Sequence, residues 1–156
     1  MNQNPVKNKK NGTGLSEPAV VIATWFGSGL LPKAPGTWGT LASLPFAWFM
    51  HSVAGWQVLA GASIAVFFIG IWASNGYTKF MGGEDPGPVV IDEVVGMWLT
   101  LIPAAYLSPY APNPLTFLVA FTLFRLADII KPWPASWADK NVKGGLGIML
   151  DDVIAA

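Results

Sequence analysis

The sequence predicts an all-α fold, a small helical integral-membrane domain with short, partly re-entrant or kinked helices. Three observations lead there. Charged residues make up 12% of the chain and hydrophobic residues 53%, against roughly one-quarter charged in an ordinary soluble domain. The charges are also clumped, with none between Ala34 and Thr78 and none between Val94 and Phe124. Such uncharged runs suit a chain whose solvent is partly lipid, because a charge at the bilayer centre costs several kcal/mol. Finally, alternating strand patterns are weak along the whole length.

At 156 residues a single domain is expected. Met1 to Glu17 reads as a disordered polar tail with Lys7, Lys9 and Lys10, followed by one membrane domain over 18–156. The tail lacks the apolar core of a signal peptide, and its lysines favour a cytoplasmic N-terminus. Thr40 to His51 and Val53 to Ser74 are the first two apolar segments. The second is long enough to span a bilayer, and the first is short and expected to break at Pro45. Val94 to Leu107 and Leu115 to Ile130 form a second pair, joined by the turn-rich Ser108 to Pro114, with a kink expected at Pro103. A polar loop is expected over Pro132 to Gly147, and then a helix start at Ile148 that should continue past Ala156.

Net charge is zero, so neither a nucleic-acid partner nor a polybasic surface is indicated. The absence of cysteine excludes disulfides, thiolate metal sites and cysteine nucleophiles. A single histidine excludes lipid phosphatases that need a histidine nucleophile together with a second histidine. No Asp-x-Asp follows a strand, as haloacid-dehalogenase chemistry requires.

The chemistry must therefore lie in four polar clusters, Lys33 to Thr40, Glu84 to Glu93, Arg125 to Lys131 and Asp139 to Asp152. Each lies at one end of an apolar segment. If the intervening helix pairs are hairpins, all four return to one membrane face. Asp92, Glu93, Asp128, Asp151 and Asp152 cannot crowd together in a poorly hydrated site without a cation, since like charges favour reprotonation. Hard oxygen ligands of this kind suit Mg²⁺, which also binds phosphate oxygens. Lys33, Arg125 and Lys131 suit phosphate itself. Arg125, Asp128 and Lys131 fall at i, i+3 and i+6, within about one helix face. Carboxylates for a metal beside cations for phosphate point to phosphoryl chemistry.

Each element also has a plainer explanation. Asp92-Glu93 and Asp151-Asp152 could serve only as helix N-terminal charges, and Arg125 with Asp128 could be a structural ion pair. Gly144-Gly145-Leu146-Gly147 reads as a flexible loop, with no preceding strand and no Walker lysine. His51 reads as an interfacial or hydrogen-bonded histidine, and the tryptophans as interface anchors. A small membrane ion or metal transporter using intramembrane carboxylates is the alternative function. The position of the charges at helix ends, with phosphate-suited cations beside them, weighs against it.

Four stretches carry a family resemblance. Lys33-Ala34-Pro35-Gly36-Thr37-Trp38-Gly39-Thr40-Leu41 resembles the first motif of phosphatidylglycerophosphatase A, and Asp85-Pro86 with Val89 to Trp98 the second. Phe124 to Pro134 resembles the third and Gly145 to Ala155 the fourth, with Ala127 standing where an aromatic residue is common. The resemblance implies an all-helical, Mg²⁺-dependent phosphatase. It would convert the phospholipid phosphatidylglycerophosphate to phosphatidylglycerol and phosphate in a bacterial inner membrane, as a multi-pass protein with its site facing the cytoplasm. Carried onto this chain, it implies Asp92, Glu93, Asp128, Asp151 and Asp152 as metal and catalytic carboxylates. Of these, Asp92, Glu93, Asp151 and Asp152 are the expected metal ligands. Lys33, Thr37, Arg125 and Lys131 are the expected phosphate-binding set.

Overall fold

The structure, a computed structural model, describes residues 14–83, 86–107 and 113–156. Among these, six α-helices follow in order: α1 (Pro18–Ala23), α2 (Pro35–Met81), α3 (Ile91–Leu107), α4 (Pro114–Ile130), α5 (Ala135–Asn141) and α6 (Gly144–Ala155). A single 3₁₀ turn, Ser28–Leu30, links α1 to α2, and the described residues contain no strand. Residues 1–13 of the polar tail, residues 84–85 of the second polar cluster and residues 108–112 of the expected turn lie outside the described residues. Residues 14–17 form a turn, in which the Glu17 amide donates to the Gly14 carbonyl at 2.9 Å.

The two apolar segments expected over Thr40 to Ser74 are the limbs of one bent element, and the bend is not at Pro45. Pro45 lies inside α2, which continues through it; the chain departs from helical geometry at Gly55, with φ 73° and ψ −169°. A proline removes one hydrogen bond and is tolerated when packing holds the helix on both sides. A positive φ combined with an extended ψ is accessible at low cost only to glycine, so the fold-back falls on the glycine. Gly39 in the first limb (35–54) packs on Val90, and Gly70 in the second limb (56–81) packs on Ile91 and Met149. These positions are almost equally far from Gly55 along the chain yet meet the same end of α3. The limbs therefore lie side by side, with the bend at the far end of the molecule.

Helix α3 is the centre. Val94, Met97, Trp98 and Leu101 pack with Ala47, Leu59 and Phe124 in one core, and the Trp98 indole donates to the Ser43 carbonyl at 3.1 Å. Ile91 and Val95 pack with Val20, Tyr77 and Met149 in a second core. Burial on two sides explains why α3 is apolar nearly all round rather than amphipathic. It begins at Ile91, three residues before the expected start, which puts Asp92 and Glu93 in its first turn. It runs unbroken as a helix across Pro103.

Pro132 to Gly147 is not a loop. It holds α5 and the first turn of α6. The glycines that read as flexible are there for close packing, since a Cβ on Gly145 would strike the Ile71 carbonyl and one on Gly147 the Val142 carbonyl. The Asn75 side chain accepts the Gly145 amide at 2.8 Å, tying the start of α6 to the second limb.

Much of the exterior is apolar. Ile64, Phe68, Leu118, Leu123, Ile129 and Ile130 are exposed, a surface far more apolar than water normally tolerates in a monomer. Helix α2 is long and apolar enough to cross a membrane, and only 17% of its most apolar stretch is buried within the protein. Helices α3 and α4 have 17 residues each, about 25 Å of helix and short of the ~30 Å hydrocarbon core.

Candidate active site

The end of the molecule opposite Gly55 collects the start of α2, the start of α3, the end of α4 and the middle of α6. Asp92 and Glu93 lie in the first turn of α3, and their neighbours Ile91 and Val94 are fully buried. Asp151 and Asp152 are both buried in α6, whose Met149 packs on Gly70. Arg125, Asp128 and Lys131 come from the last turns of α4, with Lys131 as its C-cap in a left-handed conformation. Together these groups border one open cavity of about 260 Å³, whose remaining wall is Ala34, Pro35, Gly36 and the segment around Pro86 and Gly87.

Asp92, Glu93 and Asp152 each direct a carboxylate oxygen to one point, with the three atoms all within 4.8 Å of one another. One oxygen of each, Asp92 Oδ1, Glu93 Oε2 and Asp152 Oδ2, is buried without a hydrogen-bond partner. Orphaned buried acceptors are costly, all the more so when charged. Three carboxylates gathered this closely, each keeping one buried oxygen without a partner, are what a divalent cation of the Mg²⁺ type accepts. The residues present therefore fit such an ion.

The cations are arranged beside this cluster. The Arg125 guanidinium makes a close ion pair with Asp128 and stands 3.8 Å from Glu93 Oε1. Lys131 donates to Asp139 at 2.7 Å and to Asp151 at 2.5 Å. Burial works against its ammonium, but the bonds to the two carboxylates outweigh that and hold Lys131 above the usual lysine range. Asp151 is thus drawn toward Lys131 rather than into the three-oxygen cluster, although it borders the same cavity and keeps Oδ1 unpartnered.

Seven of the nine sequence-derived site residues line this cavity: Asp92, Glu93, Arg125, Asp128, Lys131, Asp151 and Asp152. Lys33 and Thr37 do not line it. Lys33 is exposed next to Ala34, which does, and its carbonyl accepts the Trp38 indole at 3.1 Å. Thr37 lies in the first turn of α2. His51 is buried near the bend, beside Leu59 and Leu101, at the other end of the molecule.

Three contributors escaped the sequence reading. Asp139 holds Lys131, and Asn75 anchors α6. Gly36 has no side chain to attract notice, yet a Cβ there would strike Glu93 Oε1 and lie 3.1 Å from an Arg125 nitrogen. Gly36 lies within the first motif and Asp139 within a polar cluster, but nothing local marks either as a partner of Glu93 or Lys131.

The phosphatidylglycerophosphatase A family model matches residues 21–156. A phosphatidylglycerophosphatase A of Escherichia coli is 40% identical over 94% of this chain and 81% of its own length. The Haemophilus influenzae protein of the same name is 37% identical over 98% of this chain and 88% of its own. A Bacteroides thetaiotaomicron protein with the provisional name phosphatidylinositol-3-phosphatase is 40% identical over 87% of this chain and 85% of its own length. No solved structure matches.

Proposed function

Because the chain belongs to the phosphatidylglycerophosphatase A family and is a phosphatase enzyme, we propose that it hydrolyses the terminal phosphate of phosphatidylglycerophosphate with the aid of Mg²⁺. The observation that carries this reading is the convergence of three carboxylates with unpartnered oxygens beside the Arg125–Asp128 pair in one cavity.

Asp92, Glu93 and Asp152 are the residues that would hold the ion. When bound, Mg²⁺ supplies charge neutralisation and Lewis acidity toward phosphate oxygens and water. Arg125, aimed by Asp128 and Glu93, receives the charge that builds on the equatorial phosphoryl oxygens. The first limb of α2 opens on the cavity at Pro35 and Gly36, so the positive end of its dipole adds to this field. Water attacks phosphorus and its proton passes to a site carboxylate. The P–O bond to the glycerol breaks, and the leaving oxygen takes up a proton. Lys131 holds Asp151 against Asp139 at the edge of the site and remains within reach of an incoming phosphate.

Phosphate release from the protein in detergent, with phosphatidylglycerophosphate and phosphatidylinositol 3-phosphate compared side by side, tests the reading. Preference for the first is expected; release from neither would leave the transporter reading in its place.

Gly36 provides a second test. The Glu93 carboxylate is the far end of a flexible side chain, so in Gly36→Ala it gives way at little cost in stability, and the damage falls on the site. A misplacement of about 1 Å can cost up to about a hundredfold in rate. Phosphate release is therefore expected to fall by about tenfold or more with the melting midpoint nearly unmoved. Unchanged release in this variant would show that Glu93 need not sit where it does.

We further propose a multi-pass protein of a bacterial inner membrane whose site faces the cytoplasm. The exposed Trp133 and Trp137 near Lys140 and Lys143, at the site end, support an interface there. The chain has no cysteine, so single cysteines at Lys79 and Lys140 can be probed with an impermeant thiol reagent on intact cells. Both are expected to stay unlabelled until the cells are opened. Labelling of one from outside but not the other would refute a common face.

A further inference from the structure

We propose that the apolar groove between the second limb of α2 and α3 is the subsite for an acyl chain of the phospholipid substrate. This rests on the lipid-phosphatase reading above and extends it from the phosphate to the tail. The groove encloses about 320 Å³. Its walls are Ile64, Phe67 and Phe68 on the limb, Val95 and Leu99 on α3, and Val153 on α6. The one hydroxyl on its lining, Ser63, donates to the Leu59 carbonyl at 2.8 Å, so no polar group in it is left to solvate. An apolar trough of this kind accepts methylenes and excludes a polar headgroup.

Continuity with the site identifies the occupant. Val95 and Leu99 follow Asp92 at i+3 and i+7, on one face of α3, and Val153 directly follows Asp152. The groove therefore begins about one helical turn along α3 from Asp92. It runs along α3 for about 10 Å, two helical turns, toward the apolar far end. A lipid whose phosphate sits at the cluster places its chain in this direction.

A second apolar groove, about 380 Å³ between α3 and α4, is lined by Thr100, Pro103, Val119 and Leu123. It begins farther along α3, at Thr100, more than a turn beyond Val95. The first groove is the nearer of the two to Asp92 along α3, and it alone includes a residue next to Asp152. Its limb side, Ile64 and Phe68, is 61% and 66% exposed, which leaves a chain open entry from surrounding lipid.

The test uses the full chain in detergent and a phosphatidylglycerophosphate carrying a diazirine midway along one acyl chain. Photolysis is expected to label peptides containing Ile64, Phe68 or Leu99, and excess unmodified substrate should suppress the label. Labelling concentrated on 115–123, or spread evenly over Ile69 and Trp72 without competition, overturns the proposal; the even pattern is that of bulk lipid.

A kinetic arm reads the same groove without labels. Ile64→Trp fills it from an exposed position, while Ile69→Trp adds the same bulk on an exposed position outside it. KM for the long-chain lipid is expected to rise about tenfold in Ile64→Trp only. Hydrolysis of a water-soluble short-chain phosphate monoester should match the parent in both variants. Equal KM values for the long-chain lipid in the two variants overturn the proposal. A parent protein that releases no phosphate sinks the phosphatase reading itself, whereas one that releases phosphate but labels elsewhere sinks the groove alone.

Discussion

Asp92→Asn and Asp152→Asn are each expected to lower phosphate release by at least about a hundredfold, since loss of even an outer-shell partner of a metal costs roughly 10–100-fold. Both residues belong to the three-oxygen cluster, and each keeps a buried oxygen without a hydrogen bond. The amide is nearly the size of the carboxylate but removes one of the negative charges that repel each other there. In metal-free protein the melting midpoint should therefore hold or rise. If these residues served only the helix dipole, asparagine would do almost as well as a cap, and turnover would stay within a few-fold of the parent. Asp152 lies well inside α6 rather than at its start, so the capping explanation is already weak for it. Phosphate release measured beside a melting curve separates the two roles, and near-normal turnover in both variants would withdraw the assignments.

Chelation should act even more broadly. Excess EDTA is expected to abolish phosphate release, and Mg²⁺ to restore it, because the cluster otherwise holds three converging carboxylates with no cation among them. Arg125 cannot take that role alone. It is already engaged by Asp128, and the distance from its nitrogen to Glu93, 3.8 Å, is long for a direct hydrogen bond. Ca²⁺ should restore less than Mg²⁺, since it needs six to eight oxygens and a roomier cage than this cluster supplies. A protein fully active in EDTA would remove the metal from the mechanism and leave Arg125 and the start of α2 as the phosphate-binding groups. Adding Mg²⁺ should also raise the melting midpoint of the parent, as any ligand of the folded state does. That rise should shrink in Asp152→Asn, a readout independent of turnover.

The all-helical class and the return of the four polar clusters to one end of the molecule were legible in the sequence, and seven of the nine residues singled out there line one cavity. Both follow from one physical rule. In a chain this apolar, a charge is costly unless it has a partner, so the charges gather where partners are. Helix α3 after Glu93 and helix α4 before Arg125 contain no charge, and their apolar side chains meet either core or the apolar exterior. Asp92, Glu93, Arg125 and Asp128 therefore stand out against them.

Only the tertiary structure decided how those charges are shared. Proline is the stronger helix breaker by local propensity, yet the chain folds back at Gly55. The helix through Pro45 is held by packing, while the reversal needs a backbone conformation that only glycine reaches cheaply. The glycine-rich stretch before Asp151 reads locally as a loop but is helical, because close contact with Ile71 and Val142 leaves no room for side chains. Lys131 carries a phosphate-suited charge in the sequence, and in the fold it bridges Asp139 and Asp151. Gly36, with no side chain of its own, makes room for Glu93. Residue type and spacing determined which groups this protein has for chemistry. Which carboxylate meets which cation depended on contacts between residues far apart in the chain, and no local pattern encodes those distances.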